Sequence, residues 1–263
     1  MKILDGRELA GYVKERQAHM VRSLKAEKKF PKLVIVRDSE NPVIVKYVNL
    51  KKQYGEDIGV EVVDTFVEGI EALKNAVKVA NEDKSVAGII VQLPLVNPEW
   101  TDEVVQLIDP EKDVDGLSGK GKFDSATATA VNWLLAGHNI QLSNKKIAVV
   151  GRGRLVGRPL IRMWEDSGFS VEVFHRGSDF SLLEDFDVIV TATGCPHLIQ
   201  NEMIKSGAVI VDAGTASEDG KLVGDIDNEI RARDDLGAIT PKIGGVGPLT
   251  VGVLFDNVIR ATK

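Results

Sequence analysis

Three residue types at three places in this chain suggest proton chemistry. The first is Lys51, at the end of the stretch YVNLK. On a helical wheel Tyr47, Leu50, Tyr54 and Ile58 share one face, and Lys51 falls on that face one turn after Tyr47. A lysine on an apolar face is desolvated, which favours the neutral amine and lowers its pKa toward the range useful for acid–base work. The second is Gln92, at the carboxyl end of the apolar run VAGIIVQL, where open α/β sheets bind ligands. The third is the pair Asp113 and Asp115, just before Gly116 in DVDG. Each also has a plain structural reading. Lys51 can snorkel from a helix edge, Gln92 can end a strand, and DVDG can be only a turn.

A second constellation points to a nucleotide. VVGRGRLVGRP places Gly151, Arg152, Gly153 and Gly157 directly after a strand and at the start of a helix. Glycines there let the backbone turn tightly and approach a pyrophosphate, whose charge the helix N-terminus stabilises. The spacing GxGxxxG is one residue longer than the usual dinucleotide fingerprint, and a tight turn without a ligand is the alternative. The next strand, VEVF, runs into His175, Arg176 and Gly177 with no carboxylate at its tip. NAD sites usually present an acidic residue there, whereas an arginine suits the extra phosphate of NADP. NADP is therefore favoured over NAD, and a solvated surface arginine is the other reading.

The elements that must position these residues alternate almost from end to end. DGRELAGYVKERQAHMVRSLKAEK reads as a long first helix with Asp5 as its N-cap and Glu8 three residues on. KLVIVR, VEVVDTFV and VAGIIVQL read as buried strands, separated by the helix carrying Lys51 and by IEALKNAVKVANED. A short helix from Trp100 to Leu107 precedes the turn-rich IDPEKDVDG, and Ala126 to Gly137 reads as a bridging helix. IAVV, SVEVFHR, DVIVTATG and GAVIVDAG follow as strands, and the chain closes with a glycine-rich loop and a helix. The pattern predicts an α/β protein of two lobes with a cleft between them, the second lobe a Rossmann-like NAD(P)-binding domain. The first comprises residues 1–125 plus a C-terminal helix, 248–263, and the second residues 126–247.

Composition sets limits on the partners. The chain has 263 residues, a formal net charge of −6 and a hydrophobic fraction of 43%, which argues against nonspecific nucleic-acid binding. No apolar run reaches the roughly 18–20 residues of a membrane helix, and the charged start MKILDGRELA does not read as a signal peptide. The single cysteine, Cys195, excludes an internal disulfide framework and suits a reducing compartment, so a cytoplasmic protein is expected. His138, His175 and His197 lack metal-ligand spacing, and no metal site is expected. Cys195 reads as a buried structural thiol, Met163 and Trp164 as packing residues.

Taken together, YVNLK, GIIVQLPL, IDPEKDVDG, the glycine turn, GAVIVDAG, LVGDID and TPKIGGVGPLT occur in an order that resembles the methylenetetrahydrofolate dehydrogenase/cyclohydrolase (FolD) family. The likeness runs from ILDG to the terminal helix. It implies oxidation of methylene-tetrahydrofolate with NADP, then hydrolysis of the methenyl cation to formyl-tetrahydrofolate, both in one cleft. By that resemblance Lys51 is the main cyclohydrolase residue, Gln92 holds it, Tyr47 stacks on the folate ring system and Asp115 bonds the pterin edge. Val91 and Leu93 beside Gln92, and Gly244, Gly245, Pro248 and Thr250 of the glycine loop, are implied substrate contacts. Gly151, Arg152, Gly153, Gly157, Arg176 and Thr215 are implied dinucleotide contacts. A homodimer through the cofactor lobe is implied as well.

The chain also departs from the family pattern. Ile44 stands where the family has a serine before the tyrosine, and the loss of that hydroxyl is expected to depress the Lys51 pKa further. Val96 replaces a proline, Ser125-Ala126-Thr127-Ala128 stands for PCTP, and the loop after DVDG is shorter. Gly153 replaces a serine, and Lys242-Ile243 enters the TPVPGG segment. Two alternatives stay open: a dehydrogenase with hydrolysis weakened or lost, and a non-catalytic folate- or nucleotide-binding protein. An unrelated two-lobed dehydrogenase would leave YVNLK, VQLPL and DVDG unexplained.

Overall fold

The computed structural model describes residues 1–218 and 221–262, with the backbone alone at 216–218, 221 and 222. The chain divides into two compact units, one of Gly11–Ala126 with Val251–Lys263, the other of Met1–Ala10 with Thr127–Thr250. The first ten residues were expected with the first lobe. They belong with the second because β1 (Lys2–Ile3) pairs in parallel with a strand at Ala238–Ile239. α1 (Gly6–Ala26) follows, and the Asp5 carboxylate accepts the Arg7 N–H at 2.8 Å as an N-cap does.

In the unit around Lys51, β2 (Lys32–Arg37) is the middle strand of a three-stranded parallel sheet. It leads into α2 (Pro42–Ile58), β3 (Glu61–Phe66), α3 (Ile70–Glu82) and β4 (Gly88–Val91). The run Leu33–Val36 of β2 is buried throughout, as a central parallel strand covered on both faces must be. Leu73, Val77 and Ala80 of α3 pack with Val34, Val36, Ile89 and Val91 in one core cluster. The expected helix from Trp100 to Leu107 is a 3₁₀ turn over Pro98–Trp100 capped by Asn97, then α4 (Thr101–Val105). Gln17, fully buried, accepts the Tyr54 hydroxyl at 2.9 Å and donates to the Gly252 carbonyl at 2.7 Å, so α1 and α2 are tied to the C-terminal helix. Tyr54 stacks on Phe255 of that helix at 5.0 Å.

The other unit carries α5 (Ala126–Gly137), β5 (Ile147–Val150), α6 (Gly157–Asp166), β6 (Val171–Phe174), β7 (Val188–Thr191) and β8 (Val209–Asp212). β9 (Ala216–Glu218) and β10 (Lys221–Val223) form an antiparallel pair that the sequence pattern did not suggest. α7 (Asn228–Arg231), β11 (Ala238–Ile239) and α8 (Val246–Thr262) complete the chain. The main sheet has six strands in the order β1-β11-β8-β7-β5-β6, all parallel. β5 pairs with β6 on one side and β7 on the other, so the winding reverses at its carboxyl end, where such sheets bind ligands.

Candidate active site

α2 begins cleanly: the Asn41 side chain accepts the Val43 N–H at 2.9 Å, and Pro42 fits a position whose N–H needs no partner. Its buried stripe differs from the one read off the wheel. Leu50 is 50% exposed and Tyr47 is at the surface, while Ile44, Val48, Gly55 and Ile58 are buried. Those four positions plus Lys51 follow the spacings four, three, four and three, so Lys51 stands in the middle of the inward stripe. The inward stripe is shifted by one residue from the predicted one, because Leu50 is apolar yet faces water and Gly55 is buried without being apolar. Gly55 is glycine because a methyl there would strike Val62 of β3.

Lys51 Nζ donates to Gln92 Oε1 at 2.6 Å. Gln92 sits just past β4, its N–H donating to the Val36 carbonyl at 2.8 Å. Its own amide donates to the Leu93 carbonyl at 3.0 Å, which turns Oε1 toward the lysine. Burial lowers the Lys51 pKa, and the Asp115 charge offsets part of that effect. Burial raises the Asp115 pKa, with Lys51 pulling it down and Asp113 pushing it up. The two aspartates of DVDG have different duties. Asp113, fully buried, accepts the Leu117 and Ser118 amides at 3.1 and 2.8 Å and the Ser118 hydroxyl at 2.6 Å, which shapes the loop. Asp115 is left to face Lys51 through its charge. Val91 is committed to the core cluster, and Leu93 packs at that cluster's margin.

In the six-stranded unit the glycine turn is a built cradle. Gly151 has φ of +109°, and a Cβ there would meet the Ala192 carbonyl oxygen at 2.5 Å; a Cβ at Gly157 would strike the Gly151 carbonyl. Gly153 is not crowded in this way: the nearest atom to a Cβ there would be 3.8 Å away. Arg152 and Gly153 are exposed beyond the end of β5. Arg176 is exposed in a tight turn after β6, closed by the His175 N–H donating to the Ser178 hydroxyl at 3.0 Å and by Gly177 at φ of +95°. Thr215 is exposed after β8. This donor set and turn fit a phosphorylated dinucleotide: guanidinium groups for phosphate, and glycine where side chains would block backbone approach. Cys195, expected to be buried, is exposed instead, because it lies in the turn after β7, where its N–H donates to the Thr193 hydroxyl at 3.0 Å.

The glycine loop belongs to the same unit. The Gly6 N–H donates to the Gly244 carbonyl at 2.7 Å, and a methyl on Gly6 would collide with Gly245. Gly244 has φ of +98° and lies against the Arg7 guanidinium. Pro248 is half-buried in the first turn of α8, and the Thr250 hydroxyl donates to the Val246 carbonyl at 3.3 Å.

Residues 4–115 match the catalytic domain of tetrahydrofolate dehydrogenase/cyclohydrolase, and residues 125–263 match its NAD(P)-binding domain. The chain belongs to this family. A bifunctional protein FolD from a Hydrogenobaculum strain is 37% identical, over all of this chain and 99% of its own length. The FolD dehydrogenase/cyclohydrolase of Campylobacter jejuni superposes with a TM-score of 0.92 at 32% identity, covering 100% of this chain and 98% of its own. A Trypanosoma brucei FolD structure, complexed with NADP cofactor and inhibitor, has a TM-score of 0.92 at 28% identity, covering 99% and 96%.

Within the family frame the Ile44 substitution takes a different weight. Ile44 is buried, but it stands seven residues before Lys51, about 10 Å along the helix axis. The Lys51 Nζ is bonded to Gln92, and burial lowers its pKa. Sequence reasoning missed the inward roles of Val48 and Gly55, and the burial of the Asp212 and Asp225 carboxyls beneath the loops of the dinucleotide unit. A wheel phased on Ile44 would have found the first two.

Proposed function

We propose that this chain oxidises methylene-tetrahydrofolate with NADP and hydrolyses the methenyl product to formyl-tetrahydrofolate. The observation that carries the hydrolytic half is the 2.6 Å bond between Lys51 and Gln92, beside Asp115, in a chain that matches both family domains. The dinucleotide, when bound, supplies the hydride acceptor. Gly151, Arg152, Gly153, Gly157, Arg176 and Thr215 hold it, and oxidation asks little more of side chains than that two rings be positioned. Tyr47 offers its ring to the folate, Asp115 bonds the pterin edge, and Leu93, Gly244, Gly245, Pro248 and Thr250 complete the substrate contacts, whereas Val91 is spent on the core.

Hydrolysis forms a C–O bond from water to the methenyl carbon and breaks one of that carbon's two C–N bonds. The released nitrogen keeps the electron pair and takes one of the water's protons, and the other proton must leave the attacking water. The neutral Lys51 amine takes that proton at Nζ, and Gln92 keeps the amine aimed. NADP is preferred to NAD because Arg176 stands where an acidic residue would be expected for NAD. β6 has no further strand beside it among the described residues, and that open edge supports a homodimer formed through this unit; the lone cysteine supports a cytoplasmic setting. No helix among the described residues is long and apolar enough to cross a membrane. Lys51→Ala is the test: hydrolysis falls by about 10²-fold or more, while folate affinity, read by fluorescence, stays within a few-fold. Full hydrolysis by that variant would remove Lys51 from its role.

A further inference from the structure

LVGDID is one of the motifs that carried the family resemblance, yet its aspartate has no part in the chemistry above. Asp225 is fully buried, next to a second buried carboxylate, Asp212, at the end of β8. The two are partnered unequally. Asp212 takes the Arg231 guanidinium on Oδ2 at 2.6 Å, while its Oδ1 accepts from the Thr191 hydroxyl, the Gly214 N–H and the Asp225 N–H at 3.1, 3.2 and 3.1 Å. Arg231 spends its other nitrogen on the Thr240 carbonyl at 2.6 Å. No cation pairs with Asp225 among the described residues. Its Oδ2 accepts the Thr193 N–H at 2.6 Å, and its Oδ1 is buried with no hydrogen-bond partner among those residues. Burial raises the Asp225 pKa and Asp212 pushes the same way, against the Thr193 amide and hydroxyl and the Gly194 amide.

Two glycines seat these carboxyls. A methyl on Gly214 would collide with the Asp225 carboxyl, and one on Gly224 with the Asp212 carboxyl. Each aspartate thus fills the space left by a glycine next to the other. The segments joined this way are the loops that follow β7 and β8, at Ala192–Cys195 and Ala213–Thr215. The first also backs the glycine turn, since Gly151 lies against the Ala192 carbonyl. All three loops stand at the carboxyl ends of parallel strands, where the dinucleotide is held on the reading above.

We propose that Asp225 is a positioning residue for the dinucleotide: its carboxyl spans the loop after β7 and the loop after β8, fixes their separation, and thereby sets the affinity for NADP. The inference rests on the NADP reading given above. A purely structural role would lower stability and weaken both substrates alike. A positioning role raises KM for NADP and leaves KM for methylene-tetrahydrofolate nearly unchanged.

The experiment is NADP binding by calorimetry on the full chain, with both KM values measured alongside. Asp225→Asn keeps the size and the acceptor for the Thr193 N–H, and should bind NADP within about threefold of the wild type. Asp225→Ala leaves the Thr193 N–H without a partner and should bind about tenfold more weakly or worse. If circular dichroism shows that Asp225→Ala does not fold, Gly214→Ala replaces it with the same expectation, because its methyl presses on the carboxyl from the other side. Unchanged NADP affinity in the folded variant overturns the proposal, as does an Asn variant no better than the Ala variant. A wild type that binds NADP without oxidising methylene-tetrahydrofolate overturns the proposed activity alone, and the variant affinities still decide on Asp225. A wild type that binds no NADP overturns both.

Discussion

Lys51 is held at three points: by the apolar stripe of α2 around it, by the Gln92 oxygen at 2.6 Å, and by the charge of Asp115. Desolvation makes its neutral form accessible below the ordinary lysine value of 10.5. If the neutral amine takes the proton from water, hydrolysis rises as pH climbs through that lowered pKa. Asp115 works in the opposite sense, because its negative charge favours the protonated amine. Asp115→Asn should therefore move the rising limb of the pH–rate profile to lower pH. A limb that stays put or moves up would show that Asp115 does not act on Lys51 through charge. The lysine, the glutamine and the second aspartate of DVDG were legible in the sequence as residue types at informative places. Their partners were not: periodicity cannot tell that Leu50 faces water, or that Asp113 spends its oxygens on Leu117 and Ser118.

At the scale of elements, the strands were readable because each parallel strand is a short apolar run between turn residues. β1 was not, since two residues carry no period, and its pairing with β11 spans nearly the whole chain. Trp164 reads as packing and is buried, but its Nε1 also donates to the Asn132 oxygen at 2.6 Å, joining α6 to α5. The glycine turn is where an element sets a function most directly. Gly157 starts α6 against the Gly151 carbonyl, so Gly157→Ala should push the helix off the turn. The expected cost is about 1–3 kcal/mol, seen as a fall in Tm of several degrees, together with a KM for NADP raised more than the KM for folate. An unchanged Tm and KM would mean that the close approach of helix and turn is not needed.

At the scale of the whole molecule, the chain has two α/β units and matches two family domains, residues 4–115 and 125–263, with the two chain ends grouped differently in the units than in the domains. The alternation of elements foretold two lobes. The assignment of residues 1–10 was out of reach because a β-strand's partner is chosen by tertiary structure. The departures from the family pattern, Ile44, Gly153 and the short loop after DVDG, spare Lys51, Gln92 and Asp115. That retention is why two activities are assigned to one chain. The most direct measurement is a paired assay on the wild type, with methylene-tetrahydrofolate plus NADP in one cell and methenyl-tetrahydrofolate alone in the other. Turnover in both is the predicted result. Oxidation without hydrolysis would contradict it and leave a dehydrogenase alone; binding of both ligands with no turnover in either cell would make this a binding protein.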